Sequence, residues 1–262
     1  VMKEFGETGW LIGDGTGHLS QDTEYFCLES CEFRRHFLAY HPEYAIITNV
    51  EIDHVDYFKD EADYRSAYEQ FIPNVSKAVV IYGEDEQARM LDFSGKKHYW
   101  YGLQDNDDIQ AVNVEETENG MHFDVLFEGK MYAHFDLPFV GHHLLLNSLA
   151  VIGICILEGV KPELIEKGLS SFQGVKRRFA VEKHGDSIFV DDYAHHPTEI
   201  AATLTAATHY PHREIWCIFQ PHTYTRTKAL FPEFVEALSH TDHVILADIY
   251  AARETDTLGV SS

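Results

Sequence analysis

The sequence predicts an α/β protein with a mostly parallel sheet, on the basis of three observations. Short strand-like runs alternate with longer helical patterns along the 262 residues. Apolar residues alternate from His122 to Phe127, before Glu128-Gly-Lys, and a second strand-like run follows, which is typical of a β-hairpin. From Ser187 onward strands and helices alternate strictly, which indicates a βαβαβ unit with right-handed crossovers.

The expected elements follow in chain order. Before residue 174 we expect strands at 44–50, 77–82, 109–114, 122–127 and 131–135. In the same part we expect helices at 60–71, 143–157 and 162–172. Afterwards we expect a strand at 187–191, a helix at 198–208, a strand at 214–219, a helix at 227–239 and a strand at 243–248. The switch from one pattern to the other predicts two domains, 1–176 and 177–262.

Charge and cysteine content narrow the class of partner. The formal net charge of −23 argues against a nucleic acid or an acidic membrane surface, because such partners need a basic stripe. The local run Lys176-Arg177-Arg178 instead fits a small anionic ligand. The four scattered cysteines and the lack of a visible signal peptide predict a cytoplasmic protein with reduced thiols. The oligomeric state is left open.

Two predicted strands end in residues that can carry chemistry. The strand at 187–191 runs into Asp192-Tyr193-Ala-His195-His-Pro197, where proline suits the first turn of a helix. The strand at 214–219 runs into Gln220-Pro-His222. Because ligands of open α/β sheets bind outside the carboxyl ends of strands, we expect these two ends to share one crevice.

The order of six motifs along the chain resembles the Mur ligase family. The motifs are Glu29-Ser-Cys-Glu32, Thr48-Asn-Val-Glu-Ile-Asp53-His54, Gly141-His-His143-Leu-Leu-Leu-Asn147, Phe172-Gln-Gly-Val-Lys-Arg-Arg178-Phe, Asp191-Asp-Tyr-Ala-His195-His-Pro-Thr-Glu and Gln220-Pro-His222-Thr-Tyr-Thr-Arg226-Thr. The resemblance implies a three-layer central ATP-binding domain with a mostly parallel sheet and a β-hairpin region, followed by part of a Rossmann-like C-terminal domain.

The same resemblance implies an ATP-dependent amide ligase of peptidoglycan precursor synthesis. It would add L-alanine to UDP-N-acetylmuramate through an acyl phosphate, with ATP and Mg²⁺ as cofactors. A related ligase, which recycles a muropeptide onto UDP-N-acetylmuramate, shares these motifs and would differ in the pocket for the amine.

The phosphate loop of the family is not found in these 262 residues. There is no Gly-x-x-x-x-Gly-Lys-Ser/Thr motif, and Gly13-Asp-Gly-Thr-Gly17 lacks the lysine, so we expect a turn there. The resemblance therefore implies a fragment without the UDP-binding domain, the phosphate loop and the C-terminal end. A non-catalytic nucleotide-binding module is the alternative class. A histidine-rich metal-binding protein is a third, although the 17 histidines are dispersed.

The resemblance assigns the nucleotide and metal residues one by one. Glu29 and His54 match metal ligands, Asn147 matches the residue that reads adenine, and His143 would line the same pocket. Asp192 would hold ATP through its ribose. The asparagine that the family has after the histidine is Leu144 here.

The resemblance also assigns the substrate and catalytic residues. Arg178 would contact the γ-phosphate and act in catalysis, since the donor fork of arginine suits that role. Tyr193 and His195 would lie near the muramyl carboxylate and the incoming amine, with His195 orienting the substrate or carrying a proton. His222 and Arg226 would bind substrate. Many relatives have an arginine where this chain has Thr223.

Overall fold

The computed structural model describes residues 1–13, 15–117, 120–175, 177–255 and 257–262. The chain forms two compact units. The first unit is Val1–Ile52 with Asp60–Phe172, and the second unit is Asp53–Lys59 with Gln173–Ser262. The domain boundary expected between residues 176 and 177 falls next to Lys176, which lies outside the described residues. Of the basic run Lys176-Arg177-Arg178, the structure therefore describes Arg177 and Arg178.

The described residues of the first unit form nine strands in two sheets. They are β1 (Thr8–Leu11), β2 (Gly17–His18), β3 (Tyr25–Leu28), β4 (Tyr44–Ile47), β5 (Ala78–Tyr82), β6 (His98–Gly102), β7 (Ile109–Thr117), β8 (Gly120–Phe127) and β9 (Lys130–Leu137). Strands β4 to β9 form one sheet in sequence order, parallel from β4 to β7 and antiparallel from β7 to β9. The short sheet has the order β2-β1-β3. The predicted mixed α/β fold with a mostly parallel sheet is thus confirmed.

Four α-helices accompany these strands among the described residues of the first unit: α1 (Glu61–Phe71), α2 (Glu86–Arg89), α3 (His142–Leu157) and α4 (Pro162–Ser170). Short 3₁₀ helices lie at Met2–Glu4, Phe33–Ala39 and Ile72–Asn74. Helix α1 begins where the Asp60 carboxylate accepts the Asp63 N–H. Helix α3 contributes Leu149 and Ile152 to the core, because its mostly apolar sequence can be buried on more than one face.

The predicted β-hairpin is confirmed as β8 and β9. The two strands meet at Glu128-Gly129, where Gly129 takes a φ of +72° that glycine adopts without strain. Phe123, Val125 and Phe135 point into the core, whereas His122, Asp124 and His134, which alternate with them, lie on the outer face. The expected turn at Gly13–Gly17 is the connection between β1 and β2, with Asp14 outside the described residues.

The second unit holds four strands and three helices in its described part: β10 (Ala180–His184), β11 (Ser187–Asp191), α5 (Pro197–Ala207), β12 (Trp216–Phe219), α6 (Tyr224–Ala229), α7 (Phe231–Leu238) and β13 (His243–Leu246). Strands β12 and β13 pair in parallel, as predicted. Helices α5 and α7 cover a small core around Phe219 and Phe234. Among the described residues, none of the helices has the length and the apolar character of a membrane span.

Two predictions for the second unit are wrong. The single parallel βαβαβ sheet is absent from the described residues, because β11 pairs antiparallel with β10 across the tight turn at Gly185. The helix expected at 227–239 is two helices that meet at Leu230. Pro232 explains the break, since its ring and missing N–H prevent a helix from continuing through it.

Candidate active site

The turn between β11 and α5 is shaped by Glu199 and His196. The Glu199 carboxylate accepts the backbone N–H of His195 at 2.9 Å and that of His196 at 3.2 Å. His196 Nδ1 in turn accepts the N–H of Thr198, and Pro197 opens the helix. This reciprocal capping fixes the direction in which the turn leaves the strand.

Asp192 connects the turn to the segment before β10. Its Oδ1 accepts the N–H of Ala194 at 2.7 Å, and its Oδ2 accepts the N–H of Phe179 at 2.8 Å. Phe179 has a φ of +50°, so the carboxylate holds a backbone geometry that is uncommon for a large side chain. Asp192 therefore has a structural task here, beside the nucleotide contact expected for it.

Arg178, Tyr193 and His195 lie together at the start of α5. The exposed Arg178 guanidinium is 3.7 Å from Glu199 and 6.0 Å from the centre of the Tyr193 ring. Arg177 packs closer to the same ring, at 4.5 Å. His195 Nδ1 is 2.9 Å from the Tyr193 carbonyl, an acceptor, so in the neutral ring Nε2 is left as the acceptor.

The end of β12 brings His222 and Arg226 to the same region. The His222 ring centre is 6.0 Å from that of His195 and 5.6 Å from that of Tyr250. An open cleft is lined by Asp192, Tyr193, His195 and His222 among others. The two strand ends thus line one crevice, as the sequence predicts.

Arg226 is buried, with 5% of its surface exposed, and it bonds to two residues. Its Nε and Nη2 donate to the two carboxylate oxygens of Asp53 at 2.8 and 2.9 Å. Its Nη1 is 3.1 Å from His222 Nδ1. Because an arginine nitrogen only donates, Nδ1 of His222 is unprotonated and accepts.

The charges of this group shift two pKa values. Burial raises the pKa of the Asp53 carboxyl, but the hydrogen bonds and charge of Arg226 outweigh burial and lower that pKa to about 2. Burial, and then the nearby charges of Arg226, His195 and Arg253, lower the pKa of His222 below its ordinary value. Asp53 is therefore ionised and His222 neutral at neutral pH.

His54 adjoins this ion pair. Its backbone N–H donates to Asp53 Oδ1 at 2.6 Å, and its Nε2 lies 3.9 Å from Asp53 Oδ2. Its φ of +52° is uncommon for a residue other than glycine. The Asp53 carboxylate thus lies between the Arg226 guanidinium and the His54 imidazole.

Thr223 caps helix α6. Its Oγ1 accepts the Arg226 N–H at 3.4 Å, and the residue is 6% exposed with a φ of +69°. The next two backbone N–H groups, of Tyr224 and Thr225, donate to Glu254. A short hydroxyl side chain is thus tied into the turn that positions Arg226.

The other expected site residues lie in the first unit. Glu29 directly follows β3 and is exposed, and its Oε2 accepts the N–H of Gly13 at 2.6 Å. Asn147 is exposed on α3, and His143 lies one turn before it on the same face of the helix. His54 belongs to the second unit, so the two expected metal ligands are described in different units.

The structure therefore joins Arg178, Tyr193, His195, His222 and Arg226 into one cluster. Sequence reasoning missed the acidic members. Asp53 directly precedes His54, the residue of this motif to which the resemblance assigns a role. The position of Glu199, three residues after the helix cap, is a capping signal that could have been used.

Comparisons with known proteins agree with this architecture. Residues 16–155 match the Mur ligase middle domain, and residues 177–259 match the Mur ligase glutamate ligase domain. The chain belongs to the Mur ligase family.

Particular relatives narrow the comparison. The chain is 47% identical to the UDP-N-acetylmuramate–L-alanine ligase of Lactiplantibacillus plantarum over 100% of this chain and 60% of that protein. It superposes on the crystal structure of UDP-N-acetylmuramate–alanine ligase from Thermotoga maritima with a TM-score of 0.73 and 28% identity, covering 95% of this chain and 57% of the other. A ligase of UDP-N-acetylmuramate and L-alanyl-γ-D-glutamyl-meso-diaminopimelate from Neisseria meningitides gives a TM-score of 0.59 and 25% identity, covering 67% and 61%.

Proposed function

We propose that this chain forms the central and C-terminal parts of an ATP-dependent ligase that joins L-alanine to UDP-N-acetylmuramate. The observation that carries the proposal is the cluster of Arg178, Tyr193, His195, His222 and Arg226 in a chain that is 47% identical throughout to such a ligase. The chain spans 60% of that relative's length. A ligase of the relative's full length that contains these 262 residues is called the complete ligase below.

The proposed reaction has two steps. The muramyl carboxylate attacks the γ-phosphorus of ATP, which forms an acyl phosphate and releases ADP. The amine of L-alanine then attacks the acyl carbon, loses a proton and displaces inorganic phosphate. Both steps build negative charge on oxygens, so fixed donors and cations at those positions would lower the barrier.

The residues of the second unit can serve these steps in distinct ways. Arg178 is exposed and held only loosely by Glu199 at 3.7 Å, so its donors are available to a phosphate. His195 keeps Nδ1 on the Tyr193 carbonyl, which leaves Nε2 as an acceptor for the ammonium proton of the amine. His222, neutral and bonded to Arg226, offers Nε2–H as a donor to a carboxylate.

Nucleotide and metal would be held mainly by the first unit. Asn147 is exposed, and its amide can donate to and accept from a purine edge. The Oε2 of Glu29 accepts the Gly13 N–H, and its other carboxylate oxygen, Oε1, would be the ligand of the metal. An exposed carboxylate suits Mg²⁺, which retains several waters. His54 is a softer donor and fits Mg²⁺ less well. When bound, the ion would neutralise charge on the phosphate oxygens.

One assay distinguishes the proposed ligase from a muropeptide-recycling ligase and from a non-catalytic nucleotide-binding module. The assay measures phosphate release by the complete ligase with ATP, UDP-N-acetylmuramate and one amine: L-alanine, L-serine, glycine or a muropeptide. L-alanine should give the highest kcat/KM. A preference for the muropeptide would favour the recycling ligase, and nucleotide binding without phosphate release with any amine would favour a binding module.

The 262-residue chain alone should be inactive, because it lacks the phosphate-loop lysine motif.

A further inference from the structure

The outer face of the β8–β9 hairpin carries two histidines and two aspartates. We call this group the hairpin cluster: His122, Asp124, His134 and Asp136. His122 is directly opposite Asp136, and Asp124 is directly opposite His134. Phe123 and Phe135 on the reverse face are buried, so a slip by one residue would expose them. The core thus fixes the register that brings the four polar side chains together.

Three ligand atoms of the hairpin cluster converge. His122 Nδ1 lies 2.5 Å, and His134 Nε2 lies 3.3 Å, from the same oxygen, Asp136 Oδ1. All three atoms are within 4.8 Å of one another. Around an ion with bonds of about 2.0 Å in tetrahedral geometry, the ligand atoms would be roughly 3.3 Å apart. Because the observed spacing differs from this value by at most about 1.5 Å, small rotations of side chains on the outer face would bring the three atoms into range.

A second layer of hydrogen bonds orients His134. Its Nδ1 lies 2.8 Å from Asp124 Oδ1, so Nδ1 carries the proton and Nε2 faces Asp136. Asn113 donates to the other oxygen of Asp124 at 2.8 Å. Asn113 reaches it from a β-bulge between Val112 and Glu115, where its φ is +52°. A carboxylate behind a histidine is the usual outer support of a metal-bound imidazole.

We propose that the hairpin cluster binds a divalent transition-metal ion of the zinc type. The protein ligands are His122 Nδ1, His134 Nε2 and Asp136 Oδ1, and water fills the remaining positions. Two imidazoles and one carboxylate suit Zn²⁺, Co²⁺, Ni²⁺ or Cu²⁺, whereas Mg²⁺ and Ca²⁺ prefer oxygen donors throughout. This site lies in the first unit and does not depend on the proposed function.

The competing explanation is a set of ordinary cross-strand ion pairs. Such pairs need one carboxylate for each imidazole, and the direct partners on β8 and β9 could supply that. Here, however, Asp136 Oδ1 is shared by two imidazole nitrogens, and His134 directs both of its ring nitrogens at carboxylates. Without a metal ion the two nitrogens donate protons to the same oxygen, and a bound ion would replace those protons, so binding of metal separates the two explanations.

The test is calorimetric titration of the untagged 262-residue chain with ZnCl₂, and with MgCl₂ for comparison. The variants are His134→Gln, His122→Gln and Asp124→Asn. The matched control is His184→Gln, which removes an exposed histidine 3.2 Å from a single carboxylate, that of Glu182. Circular dichroism confirms the fold of each variant, and Co²⁺ absorption in the visible range reports imidazole coordination.

We expect a Zn²⁺ site that is lost in His134→Gln and in His122→Gln. Asp124→Asn should weaken it by about 10- to 100-fold, as outer-shell changes commonly do. His184→Gln should bind like the parent chain, and excess Mg²⁺ should not compete. Absence of Zn²⁺ binding, or binding that both glutamine variants leave unchanged, would refute the proposal and leave cross-strand ion pairs as the explanation.

Discussion

Arg226 and Asp53 form a two-bonded ion pair although 173 positions separate them in the chain. The guanidinium is 6% exposed and the carboxylate 18%, so each charge depends on the other. Since the remaining Nη1 of Arg226 contacts His222, the pair also fixes a residue of the candidate site. Arg226 was expected to bind substrate; that role stays a prediction, and the observed pair is a positioning role beside it.

Removing the guanidinium should destabilise the second unit. Arg226→Ala leaves Asp53 charged and partly buried, which for a buried pair costs roughly 3 kcal/mol. The free energy of unfolding can be read from Trp216 fluorescence after replacing Trp10 and Trp100 with Phe. Arg226→Lys should recover only part of the loss, because it cannot make both bonds. Equal stability of Arg226→Ala and the parent would show that the pair is not formed.

The same pair predicts a loss of stability in acid. The Asp53 pKa is about 2 in the folded chain, below the ordinary value near 3.9, so its contribution is complete above pH 4 and is lost as pH falls toward 2. The loss should amount to about 2 kcal/mol. The measurement is the free energy of unfolding of the parent chain minus that of Asp53→Asn, determined once at pH 5 and once at pH 2. A difference that is the same at both values contradicts the assignment.

In the complete ligase, Arg178→Ala should lower turnover more than it weakens ATP binding. Charge on the γ-phosphate oxygens grows toward the transition state, so a cation aimed there acts on the barrier, by about a hundredfold in kcat. Arg177→Ala is the matched control, since Arg177 is the neighbouring arginine and lies closer to the Tyr193 ring, at 4.5 Å against 6.0 Å for Arg178. If Arg178→Ala raises only the KM for ATP, Arg178 has no catalytic role.

Asn147 and Asp192 should separate nucleotide binding from stability. Asn147→Ala removes an exposed side chain, so it should weaken ATP binding by the complete ligase and leave the unfolding midpoint unchanged. Asp192→Ala should lower both the affinity for ATP and the unfolding midpoint. The midpoint falls because two backbone N–H groups lose their acceptor, at about 1 kcal/mol each. Thermal unfolding with and without ATP measures both quantities. An Asp192→Ala variant as stable as the parent would contradict this reading.

Thr223 offers a test of the turn that holds Arg226. Thr223→Ala loses the cap and should cost about 1 kcal/mol. Thr223→Gly loses the same bond but relieves the φ of +69°, so it should be more stable than the alanine variant. Urea unfolding of the two variants gives the comparison, and the opposite order would show that the turn is not strained.

Local patterns in the sequence were sufficient for much of the fold. Helix α3 follows from its long apolar run and the β8–β9 hairpin from alternating apolar residues, and both patterns depend only on neighbours along the chain. The pairing of β11 was not predictable in this way, because the alternation of strands and helices does not say which strands become neighbours. The helix break at Leu230 was predictable, since Pro232 marks it.

Some residues of the candidate site could likewise be predicted from local sequence patterns, and others could not. Residues at strand ends, such as His195 and His222, could be nominated because topology places strand ends together. The Asp53–Arg226 pair and the hairpin cluster depend on contacts across the chain and on strand register. Dispersed histidines counted against metal binding in the sequence, yet His122 and His134 become neighbours once β8 and β9 pair.

Asp53–Lys59 belongs to the second unit although the residues on both sides of it belong to the first. The main chain therefore passes between the units at three places, and a single cut near residue 172 would not divide it into its two natural parts. Exchange of C-terminal segments between homologous ligases would bring a new residue at position 226 against an inherited Asp53.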